Sequence, residues 1–230
     1  MQNRTSTSHQ LGQLMCQATR EILWEPASDW PQAHGGNTLV CRVGSGQATY
    51  HRFDTRKKQH LINYGVRMIS AKHQPETAHG WLSTREIRRR GYFDGDVSTL
   101  NLLAHTCCHE FAHLVQQSAG QRRYGSVHNR HFYDILDQIH ANGGAEILRH
   151  YLASQASRQQ LPLPDTIFKM PENQTLVRRW QVGDNVTFGE NARQRQGKII
   201  RVNRKTCTVD GTGPSKGMRY RVPLQMLNRP

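Results

Sequence analysis

Thr99-Leu100-Asn101-Leu102-Leu103-Ala104-His105-Thr106-Cys107-Cys108-His109-Glu110-Phe111-Ala112-His113-Leu114-Val115 runs on without a glycine or proline. Leu103, Cys107, Glu110/Phe111 and Leu114 recur at helical spacing, which predicts a buried helix with polar groups on one side. Residues four apart share a helix face, so His109 and His113 can present their imidazoles to one ion. Glu110 stands one residue on, placed to reach a water at an open coordination position. Two imidazoles, one further ligand and a free position describe a catalytic Zn²⁺ rather than a closed structural one. The chemistry expected of such a set is hydrolysis of a peptide bond, with Glu110 as general base and then as proton donor to the leaving amine.

The third ligand must come from further along. A metzincin-type histidine would lie six residues past His113, after a glycine at the third. Ala119 and Gln116 occupy those positions and exclude that subclass. His128 leads the remaining candidates, in a loop just before a helix whose apolar positions are Phe132, Ile135, Leu136 and Ile139. His131, Glu146 and Asp134 are the alternatives. Glu146 follows Gly143-Gly144 at a predicted helix start, where a role toward the helix dipole is equally open to it. Tyr124 or Arg123 is a candidate for the oxyanion, although a surface loop explains both.

His109-Glu110-x-x-His113, a gap, and then His128-x-x-x-Phe132-x-x-Ile135-Leu136 resembles the SprT-like zinc metalloproteases, which include the Spartan proteases. The resemblance covers roughly residues 38–151. It implies a zincin-like fold, His128 as third ligand, and substrates that are DNA-bound or DNA-crosslinked proteins. Asn129 stands where the family's pattern has glycine. Many members carry a C-terminal zinc ribbon of paired cysteines, and this chain has no such pair.

With 230 residues and 36% hydrophobic content, one medium domain and one small one are expected. No apolar run approaches a membrane span, and Met1-Gln2-Asn3-Arg4-Thr5-Ser6-Thr7-Ser8 lacks a secretory apolar stretch. Five cysteines without a Cys-x-x-Cys pair fit a reducing cytosol, with Cys107 and Cys108 as small buried residues. A nucleoid-associated place in the cytoplasm fits equally.

The formal charge of +14 points to an acidic partner. Lys and Arg outnumber Asp and Glu by 18 to 12 through residue 164, and by 13 to 5 beyond it. DNA or RNA is the expected partner, because neutralised phosphates release counterions. Arg88, Arg89 and Arg90, and Lys198, Arg201, Arg204 and Lys205, are the candidate contacts, with Arg56-Lys57-Lys58 as a further cluster. A charged, soluble surface is the plain alternative.

The expected architecture is α+β: a zincin-like domain over residues 1–155, a linker over 156–175 and a small KOW- or Tudor-like barrel over 176–230. Residues 11–24 read as an opening helix ended by Pro26. Residues 38–43 and 48–53 read as a hairpin around Gly44-Ser45-Gly46, and residues 60–69 as a third strand, which the resemblance to a zincin-like fold implies as an edge strand that holds substrate in extended form. Ser83 with Glu86 reads as a capping box. Residues 132–140 and 145–152 are helical, residues 154–174 are polar and Pro-bearing, and strands are expected over 180–188, over 196–209 as two joined by a tight Asn203-Arg204-Lys205 turn, and over 220–223.

Overall fold

Ser6 starts the first helix: its side chain accepts from the His9 amide at 3.3 Å, and α1 (Thr7–Ala18) follows. The structure is a computed structural model describing residues 6–29, 36–169, 177, 179–189, 194–204 and 206–230. It is a mixed α+β chain divided into two units, residues 1–74 with 82–168, and residues 75–81 with 169–230.

In the first unit α1 runs on as a π-helical stretch, Thr19–Trp24. Three strands follow: β1 (Thr38–Gly44), β2 (Tyr50–Asp54) and β3 (Gln59–Gly65). The helices after them are α2 (Val66–Ala71), α3 (Leu82–Arg90), α4 (Thr99–Ser118), α5 (Arg130–Ala141) and α6 (Gly144–Arg158). The core joins Leu11, Leu14 and Met15 of α1 to Ile62 and Tyr64 of β3. Leu103, Cys107 and Leu114 of α4, Phe132 and Leu136 of α5, and Leu148 and Leu152 of α6 complete it.

The sheet order is β1-β3-β2, with β3 parallel to β1 and antiparallel to β2. This corrects the expected hairpin, since β1 and β2 do not pair. The reason lies in burial. Along β3, His60, Ile62, Asn63 and Tyr64 are buried, whereas β1 alternates exposed and half-buried residues. A strand buried on both faces takes the centre, and the local alternation of β1 and β2 does not specify their partner.

The expected edge strand over residues 60–69 is corrected on the same ground. It is central, and it ends at Gly65, where an added Cβ would lie 2.5 Å from the Gly46 carbonyl oxygen. The Arg67 amide then donates to that same oxygen at 3.1 Å, and α2 begins with Met68 and Ile69 turned inward. The edges are β1 and β2, and it is β2 that lies against α4.

The reading of Ser83 as a cap fails because α3 already starts at Leu82, leaving Ser83 buried in its first turn. The reading of residues 154–174 as linker fails over its first part. Helix α6 continues to Arg158, and residues 162–168 tie down the first unit. The Leu100 amide, unbonded within its own helix, donates to the Pro164 carbonyl at 3.2 Å. Ser98 caps α4 at the Asn101 amide and also donates to Asp165 at 2.9 Å. The Phe168 amide reaches the Val97 carbonyl at 2.8 Å. Pro171, also assigned to the linker, lies outside the described residues.

The second unit is an antiparallel meander of β4 (Asn185–Phe188), β5 (Arg195–Val202), β6 (Thr206–Gly211) and β7 (Arg219–Pro223). After β7 the chain returns to β4, where Thr187 and Asn228 exchange backbone bonds of 2.8 and 2.9 Å. Trp180, Val186, Phe188, Ile199, Cys207, Val209, Val222, Leu224 and Leu227 fill its interior. The expected first strand from residue 180 is shorter, because Asp184 accepts from the Gln181 amide and makes a turn of residues 181–184.

Candidate metal centre

Helix α4 places His109 and His113 one turn apart, their ring centroids separated by 4.9 Å. His128 arrives from the segment before α5, and its Nε2 lies 3.1 Å from His113 Nε2 and 3.1 Å from His109 Nε2. Phe132, fully buried on α5, packs its ring 4.8, 4.3 and 4.9 Å from those of His109, His113 and His128.

Gln116 fixes the segment that carries His128. Its Nε2 donates to the Val127 carbonyl at 2.9 Å and to Asn129 Oδ1 at 3.0 Å. Asn129 also caps α5 by accepting from the Phe132 amide at 3.1 Å, and it donates to the Gln121 carbonyl at 3.2 Å. The asparagine that departs from the SprT-like pattern is therefore the joint between α4, the loop and α5. Sequence reasoning treated Gln116 only as the residue that excludes a metzincin.

The tautomers follow from the partners. Glu86 Oε2 lies 3.0 Å from His109 Nδ1 and, being a carboxylate, only accepts, so Nδ1 carries the proton. Gln116 has committed its amide nitrogen, so its Oε1 faces His113 Nδ1 at 3.4 Å as acceptor. Both Nε2 atoms thus present lone pairs toward His128 Nε2. Three imidazole nitrogens directed at one point suit a cation. On a tetrahedral ion with Zn–N bonds of about 2.0–2.1 Å, neighbouring ligand atoms stand roughly 3.3 Å apart. Burial, then the neighbouring His109 and His128, bring the His113 pKa down to about 2, and burial with His109 lowers that of His128. These rings therefore stay neutral and able to bind a metal.

Glu110 is buried, with 6% of its surface exposed. Burial raises its pKa, and the Lys72 and Arg122 charges offset this only in part. Lys72 is itself buried and donates to Thr106 Oγ1, one turn before Glu110. Burial brings the Lys72 pKa to about 8, opposed first by the Glu110 charge.

Among the described residues, two groups of His, Cys, Asp or Glu have donor atoms close enough to share an ion: His109/His113/His128 and Glu86/His105/His109. The alternative third ligands lie elsewhere. His131 is exposed, Asp134 faces Arg130 at 3.8 Å, and Glu146 faces Arg149 at 3.2 Å. Cys107 and Cys108 are buried, with thiol pKa values pushed up by burial, Cys107 to about 11.

Of the two oxyanion candidates, Tyr124 is fully exposed and Arg123 pairs with Ser126 in a two-residue bridge. Their neighbour Arg122 points inward instead, donating to His51 Nδ1 at 2.9 Å. Tyr124 is exposed as the surface-loop reading expects, and of this segment it is Arg122 that turns inward.

The cationic candidates divide between the units. In the first, Arg88 and Arg89 are exposed, whereas Arg90 is bound to Asp137 at 2.9 and 2.7 Å. In the second, Lys198, Arg201 and Arg204 are exposed, and Lys205 lies outside the described residues. Strand register adds Arg219 and Arg221, which lie across Asp210 and Thr208 from Lys198 and Arg201. The alternation Arg219-Tyr220-Arg221-Val222 was the available signal.

No family model, curated protein or solved structure matches the chain.

Proposed function

We propose that the chain is a zinc-dependent endopeptidase of SprT-like type, acting on proteins held on or crosslinked to DNA. The observation that carries this reading is the convergence of His109, His113 and His128 beside a buried carboxylate on the same helix. When bound there, Zn²⁺ supplies Lewis acidity, polarising the scissile carbonyl and acidifying a water. Three protein donors leave the position that hydrolysis needs, whereas a purely structural zinc takes four.

The chain's own groups account for the rest. Glu110 removes the proton from water and returns it to the leaving amine. Its burial raises its pKa, which suits a group that must take up and return a proton, and the Lys72 and Arg122 charges offset that rise in part. The outer edge of β2, which pairs with no further strand among the described residues and packs against α4, offers backbone groups to which an extended peptide can add. Arg88 and Arg89 on α3, and Lys198, Arg201, Arg204 and Arg221 in the second unit, supply charge for a polyanion.

The test is cleavage of casein or histone by the wild type and Glu110→Gln, with and without single-stranded DNA, alongside zinc content. Glu110→Gln should retain one zinc per chain and lose cleavage roughly 100- to 10,000-fold. Cleavage that survives in this variant would sink the mechanism. Zinc retained by a wild type that cleaves nothing would favour a binding module.

A further inference from the structure

Glu86 lies twenty-three positions before His109 and on a different helix, yet it closes a buried network around that histidine. It is 3% exposed on α3, and a single oxygen, Oε2, meets both His105 Nε2 at 2.9 Å and His109 Nδ1 at 3.0 Å. His105 and His109 are four residues apart on α4, so one carboxylate oxygen serves both.

His105 is fully buried, and burial lowers its pKa to about 4 even though Glu86 opposes this. A neutral His105 has one N–H, and that proton goes to Glu86. Its Nδ1 then accepts from His140 Nε2 at 3.1 Å, and burial likewise keeps His140 neutral, near a pKa of 3. Direction is fixed throughout: His140 donates to His105, His105 donates to Glu86, and Glu86 receives His109 as well.

The outer end is pinned. Tyr92 stacks flat on His140, with centroids 3.8 Å apart at 6°, and donates to Asp137 at 2.5 Å. Arg90, at the end of α3, holds the same aspartate. Helices α3, α4 and α5 are thereby locked together around the carboxylate. Two imidazole N–H groups converge on the one Glu86 oxygen, an arrangement that favours a carboxylate there.

We infer that Glu86 is the positioning residue of the metal centre. It holds His109 as the Nδ1–H tautomer, aims Nε2 at the ion, and lends one negative charge to an otherwise neutral donor set. The inference rests on the zinc reading above. Carboxylates in this position behind a ligating imidazole raise its basicity, and losing one typically weakens metal binding about 10- to 100-fold.

Zinc affinity of the metal-free wild type and Glu86→Gln, measured by competition with a chromophoric chelator, tests it. Nitrogen-15 spectra of the wild-type histidine rings, recorded without metal, form the second arm. Glu86→Gln retains the shape and an acceptor oxygen but removes the charge. We expect its zinc dissociation constant to rise about tenfold or more, and His109 to carry its proton on Nδ1.

A merely structural Glu86 would lower the unfolding midpoint of the metal-free variant and leave its zinc affinity unchanged. An affinity within twofold of wild type overturns the role of Glu86 while the metal reading stands. If the variant does not fold, the ring spectra decide, and a proton on His109 Nε2 overturns it. A wild type that binds no zinc removes the metal reading and this inference together.

Discussion

Two chains of hydrogen-bonded imidazoles flank α4, one pinned at a group that only accepts and the other at a group that only donates. On one side His140 and His105 pass their N–H bonds toward Glu86, a group that only accepts. On the other side Arg122, a group that only donates, bonds His51 Nδ1 at 2.9 Å. His51 Nε2 then donates to His60 Nδ1 at 2.9 Å, His60 Nε2 to Ser118 Oγ at 3.3 Å, and Ser118 Oγ to the Leu114 carbonyl at 3.1 Å. A histidine is ambiguous by itself, and the fixed group at the end of each chain removes the ambiguity.

The consequences differ. The acceptor-ended chain sets the tautomer of His109 and, on the proposed zinc reading, its affinity for the metal. The donor-ended chain ties β2 and β3 to α4 and holds a guanidinium whose charge lowers the Glu110 pKa.

The largest effect should strike both chains together. Burial keeps His51, His105 and His140 neutral, with pKa values near 3, 4 and 3 against an ordinary 6.5. Between 6.5 and about 4 the unfolded chain takes up protons that these folded rings refuse, so stability rises with pH across that window and is lost on acidification. Urea unfolding of the metal-free protein at pH 7, 6, 5 and 4.5 should show falling stability. A flat profile would break the account of both chains.

Arg122→Gln separates the two sides. It removes a charge that lowers the Glu110 pKa, so that pKa rises. A general base works above its pKa, and the acidic limb of kcat/KM should therefore move to higher pH, with zinc affinity close to wild type. A limb that stays in place would deny the donor-ended chain its role.

Ser118→Ala gives the smallest change. It removes the last link of that chain and should cost about 1 kcal/mol of stability, with no shift in the pH profile. A loss of zinc in this variant would show that the two sides are not separate.

What could be read in the residues, and what could not, follows the same division. Helix α4, and the histidines it carries, were legible because a 3.6-residue period is a local property. His128 was legible because the segment before a helix is also local. Glu86 was not, since its spacing from Ser83 imitates a capping box and its true partners sit one helix away. Arg122 was hidden because nothing in Gln121-Arg122-Arg123-Tyr124 tells which side chain turns inward, and the packing of β2 against α4 decides it. The order β1-β3-β2 was illegible for a related reason: alternation tells which face of a strand is buried, and says nothing about its neighbour. Residues 162–168 read as linker from their prolines, although their carbonyls and Asp165 serve the start of α4.

The central claim is that three Nε2 lone pairs from His109, His113 and His128 meet at a site for one hydrolytic zinc. X-ray absorption at the zinc edge, on protein loaded with one equivalent, tests it most directly. The account predicts three nitrogen scatterers at about 2.0–2.1 Å and one oxygen from solvent. A fourth protein ligand in the shell, or zinc that does not stay with the chain, would contradict it.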